Sequence, residues 1–163
     1  MTAYIFSILC LLLLSAFFSA TETAFTSLNR IKMKNMANDD VKNAKLVLKL
    51  EDRYDKLLST ILIGNNIANI GMTAIATVMF VALLGGSLGP TVSTVVMTVA
   101  VLIFGEISPK NIAKEHPEGF ALFAAPIMRG LMWLFTPLNV FFSLWKKLLG
   151  KIFGTQENGS YTE

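Results

Sequence analysis

The chain has 163 residues, of which 53% are hydrophobic and 15% charged. Its mean hydropathy of +0.58 excludes an ordinary soluble domain. One cysteine, Cys10, and one histidine, His116, exclude an internal disulfide and any metal site built on several imidazoles within one chain.

The first apolar stretch, residues 4–28, is long enough to cross a bilayer, which takes about 20 residues. No Lys or Arg precedes it, so it does not read as a secretory signal. Within it, Ser15, Ser19 and Glu22 are spaced by four and three, which places them on one helix face. Residues 30–55 follow, charged and free of Pro and Gly. They predict a soluble hairpin of two helices, Arg30–Ala37 and Asp40–Arg53, with Asn38-Asp39-Asp40 as turn or N-cap. Asn29, Asn35, Asn38 and Asn43 belong to this hairpin and are given no site role.

The second span, residues 57–84, carries Asn65, Asn66 and Asn69 directly after Gly64, and Thr73 and Thr77 continue that stripe. Gly64, Ala68, Gly71 and Ala74–Ala76 give it a small-residue surface. Such a surface permits close helix approach, within a subunit or across a dimer. After the Gly85–Pro90 turn comes the third span, residues 91–114, with Gly105-Glu106-Ile107-Ser108-Pro109-Lys110 near its end. A carboxylate at the edge of a membrane helix is costly unless it is paired, hydrated or bound to a cation. Pro109 lacks a backbone donor and crowds the carbonyl four residues back, that of Gly105, so a break and a freed main-chain oxygen are expected there.

Charge placement sets the topology. Eight cations (Arg30, Lys32, Lys34, Lys42, Lys45, Lys49, Arg53, Lys56) lie between the first and second spans, and none lies in the Gly85–Pro90 turn. Lys110 and Lys114 close the third span. By the positive-inside rule the hairpin and the end of the third span are cytoplasmic, and the N-terminus and the turn lie outside. The net charge of +3 is then topological and implies no nucleic-acid partner.

Residues 118–150 form a fourth apolar segment, with basic residues at both ends and Arg129 in its middle. A cation at a bilayer centre costs about 2.5–3.5 kcal/mol on insertion scales. Pro126 and Pro137 are expected to break the segment into short pieces. It is read as an interfacial or re-entrant belt, with Trp133 and Trp145 at headgroup depth. An ordinary fourth span, which would put the C-terminus outside, is the competing reading. Residues 154–163 are polar and read as a disordered tail. The fold class is therefore an all-α membrane protein. One domain over residues 1–153 holds three transmembrane helices, a cytoplasmic helical hairpin between the first two and juxtamembrane belt helices after the third. A multi-pass plasma-membrane location follows, with the N-terminus outside and the C-terminus cytoplasmic.

The three spans each bring one polar cluster toward the inner half of the membrane. The donors are hydroxyls, amide carbonyls, carboxylates and main-chain carbonyls, the chemistry of a hard cation: Mg²⁺, Ca²⁺ or Na⁺. Candidate ligands are Ser19, Asn65, Asn66, Asn69, Glu106 and the carbonyl of Gly105, with Ser15, Glu22 and Thr73 around them. Spacing alone does not separate Mg²⁺ from Na⁺. Against a ligand role stand two ordinary uses of such residues: hydroxyls bond back to their own helix, and amides tie helices together.

At Ser15-Ala-Phe-Phe-Ser-Ala-Thr-Glu-Thr-Ala24, Leu62-Ile-Gly-Asn-Asn-Ile-Ala-Asn69 and Phe104-Gly-Glu-Ile-Ser-Pro-Lys110, the chain resembles the transmembrane (DUF21) domain of the CorC/CNNM family of magnesium transporters. The order of these motifs and their place within three spans match as well. The resemblance implies a homodimer with three crossing helices per subunit, and a Mg²⁺ site open to the cytoplasm. Carried onto this sequence, it points to Ser19, an asparagine of the 65–69 group, Glu106 and the nearby backbone. It also implies Na⁺-coupled Mg²⁺ export, and cytoplasmic CBS domains binding ATP in a longer protein from which this chain looks like an excised membrane domain. A non-enzymatic role is expected. An intramembrane hydrolase would need a base for its serine, and His116 lies at the wrong helix end. A Mg²⁺-binding sensor or scaffold that regulates a partner is the alternative.

Overall fold

The computed structural model describes residues 1–138, 140–141 and 144–145. The expected disordered tail and the end of the expected belt lie outside the described residues.

Helix α1 (Thr2–Ser27) is an apolar rod that carries buried hydroxyl residues only from Ser15 onward. Leu28 turns the chain into an extended conformation, and Asn29 then caps α2 (Arg30–Asn38), its side chain accepting the Lys32 N–H. An N-cap oxygen of this kind satisfies one of the donors a helix start leaves without a partner. Helix α3 spans Ala44–Glu51, not the expected Asp40–Arg53. The reason is local: Asp40 and Asn43 both adopt left-handed backbone, φ 54° and 68°, which Asp and Asn tolerate better than most side chains but which no right-handed helix can contain.

Helix α4 (Tyr54–Leu84) runs unbroken for 31 residues. The third rod is composite. It starts as α5 (Gly89–Ala100), widens into a π-helix over Val101–Ile107, and returns to α geometry as α6 (Ser108–Glu115). The expected break at Pro109 does not occur. Within the widened stretch the Ser108 N–H reaches back five residues to the Ile103 carbonyl. Pro109 then falls at the first positions of α6, where a missing N–H disturbs least.

Helix α7 (Pro117–Leu134) contains Pro126 without breaking, a second correction. Proline leaves the carbonyl four residues back, that of Leu122, without its helical donor. Asn43 of the hairpin supplies one: its Nδ2 donates to the Leu122 oxygen at 3.1 Å.

All described secondary structure is helical. Three rods, Thr2–Ser27, Tyr54–Leu84 and Gly89–Glu115, are long and apolar enough to cross a membrane, and α7 is not among them. Helix α1 is the central element, packed against α4, the π segment, α6 and α7. The larger core lies at the hairpin end and joins Phe18, Ala24 and Phe25 to Met33, Val47, Leu57, Ile61, Ala121 and Met128. Phe17 extends it, with ring centroids 6.2 Å from Phe120 and 6.4 Å from Phe123, a spacing at which aromatic pairs attract. A smaller cluster of Met72, Ala76 and Met97 ties the rods together nearer the α4–α5 turn.

Candidate functional site

The polar residues of the three rods meet at Ser15. Its Oγ donates to the Asn65 Oδ1 at 2.8 Å, linking α1 to α4. The third rod arrives through Gly105, where an added Cβ would stand 3.2 Å from the same Ser15 Oγ. A residue without a side chain lets the π segment approach this closely without displacing the Ser15 hydroxyl. Close approach of α1 and α4 is likewise permitted by Gly64, against which the Phe18 ring lies flush. Gly64, Ala68, Met72 and Ala76 form the buried stripe of α4. The small-residue surface is therefore used, at least here, inside the subunit.

Ser19, one turn along α1, is buried, with 2% exposure. Asn69, one turn along α4, holds a buried Oδ1 that has no hydrogen-bond partner. An orphaned buried acceptor costs about 1–3 kcal/mol, so a donor, a water or a cation at this atom would be stabilising. Glu106 follows Gly105 on the π segment and is half-buried. Asn66 is exposed, turned away from the Ser15 contact. Thr73 donates to the Asn69 main-chain oxygen at 2.8 Å.

Glu22 is engaged elsewhere. Its Oε2 lies 3.4 Å from the Lys110 Nζ, so a cation of the third rod already sits against it. Lys110 is four residues beyond Glu106, on the same helix side. His116 is exposed between α6 and α7.

The structure thus joins Ser15 to Asn65 and brings Gly105 close to Ser15, with the buried Ser19 and the half-buried Asn69 one turn away on α1 and α4. Among the described residues no three His, Cys, Asp or Glu side chains cluster as a metal group. What the place offers is one nearby carboxylate and several neutral oxygens. The sequence places Ser15 beside the candidate ligands through its four-residue spacing from Ser19, and the structure adds its bond to Asn65. Lys110 was read only as a topological charge, although its four-residue spacing from Glu106 marks it as a neighbour of the site.

The family model described as the cyclin M transmembrane N-terminal domain matches residues 5–163. The chain belongs to this family. Among similar members is a UPF0053 protein of Haemophilus influenzae, 39% identical over 153 residues, covering 94% of this chain and 36% of that protein. The UPF0053 inner membrane protein YfjD of Escherichia coli is 36% identical over 141 residues, covering 86% and 33%. A polyamine export protein of Haemophilus influenzae is 30% identical over 162 residues, covering 87% and 38%. The chain spans about a third of the length of these relatives. With its three rods and this family match, it is a membrane-embedded multi-helix protein.

Proposed function

We propose that this cyclin M family domain carries Mg²⁺ across the membrane as an exporter coupled to Na⁺, binding it from the cytoplasmic side. The observation that carries the reading is the buried, unpartnered Oδ1 of Asn69 one turn from the Ser15–Asn65 bond. Ser19, Asn65, Asn69, the Gly105 carbonyl and Glu106 would supply oxygens to an ion that has shed part of its water, and Ser15 would hold Asn65 in place. Hard oxygen donors with a single carboxylate suit Mg²⁺, which keeps several waters and needs few protein charges. Na⁺ suits the same low-charge set, which supports exchange of the two ions at one place. Asn66 lies on an exposed side of α4 beside Ile67 and Ile70. A polar side chain there fits a facing subunit better than lipid, which supports a homodimer. The positive hairpin supports a cytoplasmic base, and CBS domains binding ATP would occupy part of the length that the relatives have and this chain does not.

The test is Mg²⁺ binding by calorimetry together with Mg²⁺ flux in sealed vesicles holding only the purified protein. Glu106→Ala and Asn69→Ala are expected to weaken both. Unchanged binding and flux in Glu106→Ala would overturn the assignment. Binding without flux in the wild type would favour the sensor or scaffold reading. Because a relative is named a polyamine export protein, spermidine serves as the rival cargo. Spermidine flux without Mg²⁺ flux would reject Mg²⁺.

A further inference from the structure

Above the Ser15–Asn65 contact, α4 carries Asn69, Thr73 and Thr77 at successive four-residue steps. The rise from Asn65 to Thr77 is about 18 Å at 1.5 Å per residue. This row points to the α4–α5 turn end, and there α5 adds Ser93, fully buried, with its Oγ 3.3 Å from the Thr77 Oγ1. The α4–α5 approach is tight just above it: a Cβ on Gly89 would stand 2.6 Å from the Val81 Cα.

The hydrogen bonding of this row is lopsided. The Thr73 hydroxyl donates to the Asn69 carbonyl at 2.8 Å and the Thr77 hydroxyl to the Thr73 carbonyl at 2.9 Å. Each hydroxyl has one proton and two lone pairs. With the Thr77 proton on the Thr73 carbonyl, the Ser93 hydroxyl is free to donate in its contact with Thr77, in which either oxygen can be the donor. What remains along the row is unused acceptor capacity: lone pairs on Thr73 and Thr77 and the orphaned Asn69 Oδ1. Back-bonding of this kind is ordinary for a helical Thr; what distinguishes this row is that it runs on from the orphaned Asn69 Oδ1 to the buried Ser93. Oxygens with unused lone pairs are what a cation needs on leaving a site.

Resting on the transport reading above, we propose that Asn69, Thr73, Thr77 and Ser93 line the exit half of the path. They would form an acceptor row that takes a partly hydrated hard cation from the Ser15–Asn65 site toward the α4–α5 turn. Thr77 and Ser93 are not needed for the first binding step, so binding and passage should separate.

The experiment uses the full chain in vesicles. Thr77→Val and Ser93→Ala are expected to bind Mg²⁺ from the hairpin side with wild-type affinity and to lose flux by about tenfold, the change that one lost oxygen makes when it raises the barrier by about 1.4 kcal/mol. Thr77→Ser, which keeps the oxygen, is expected to restore flux. A purely structural role would instead lower stability and binding together. A second arm needs no transport. In a Cys10→Ala background, which removes the exposed free thiol, Thr77→Cys is expected to react with a water-soluble thiol reagent from the turn side about tenfold faster than the outward-facing Val78→Cys, as a hydrated path lets more thiolate form. Wild-type flux in Thr77→Val, or a Thr77→Cys no faster than Val78→Cys, would overturn the exit path. If the wild type moves no Mg²⁺, the transport reading fails, and the labelling contrast still decides whether the row is a water-filled path.

Discussion

Asn43 Nδ2 donates to the one carbonyl of α7, that of Leu122, which Pro126 leaves without a helical donor. The bond also holds the hairpin to α7. Asn43 does this from left-handed backbone. Asn43→Gly keeps that backbone and loses only the bond, for an expected loss of about 1 kcal/mol. Asn43→Ala adds the left-handed penalty of about 1–2 kcal/mol. Thermal melts of both variants, repeated in a Pro126→Ala background, check the origin. With the helical N–H restored, Asn43→Gly should cost clearly less. An equal cost in both backgrounds would show that the bond does not serve the proline.

Gly64 accommodates Phe18, which is 2% exposed. Gly64→Ala would place a methyl inside the Phe18 ring, and overpacking of this kind costs about 1–3 kcal/mol. The expected result is a lower melting temperature, recovered in large part by the pair Gly64→Ala with Phe18→Leu. Loss of stability with no recovery in the pair would place the strain elsewhere.

Lys110 brings positive charge to the mouth of the proposed site through its contact with Glu22. Lys110→Met is expected to raise Mg²⁺ affinity several-fold at low salt. The gain should shrink at about 0.15 M salt, where the screening length falls to about 8 Å. Calorimetry at two ionic strengths measures it. A weaker affinity would mean that the ion pair builds the site and does not oppose it.

Glu118 ties the start of α7 to the hairpin. Its carboxylate accepts the Asn29 N–H at 3.2 Å and the Lys32 ammonium at 3.1 Å. Burial raises its pKa, but these donors outweigh burial and hold it below 4.5. A depressed carboxyl stabilises the fold above its unfolded value and loses that effect as pH falls through the folded value. The stability difference between wild type and Glu118→Gln is therefore expected to be full at neutral pH and to vanish as pH drops below 4.5. A difference that grows on acidification would reverse the sign of the argument.

The three spans were legible because apolar runs of that length have few alternatives. The meeting of Ser15, Asn65 and Gly105 was half legible: face and spacing put the right residues at comparable depth, but not which oxygen touches which. The ends of α3 were not legible, because left-handed Asp40 and Asn43 depend on where the hairpin must dock. Pro109 and Pro126 misled in the same way. Proline removes a donor in any context, and whether the helix breaks depends on partners supplied from elsewhere: a widened turn in one case, Asn43 in the other.

The unequal placement of the two apolar clusters has a mechanical meaning. Helix α4 is clamped by Leu57 and Ile61 in the large core at one end, and held near the other by Met72 and Ala76 in the small one. Its 31 residues make a lever about 46 Å long at 1.5 Å per residue. A tilt of about 5° at the clamped base sweeps the far tip by about 4 Å over that length, more than the diameter of a water molecule. By that geometry a small tilt at the hairpin end would be magnified at the opposite surface, where α5 packs closely on α4 and would move with it.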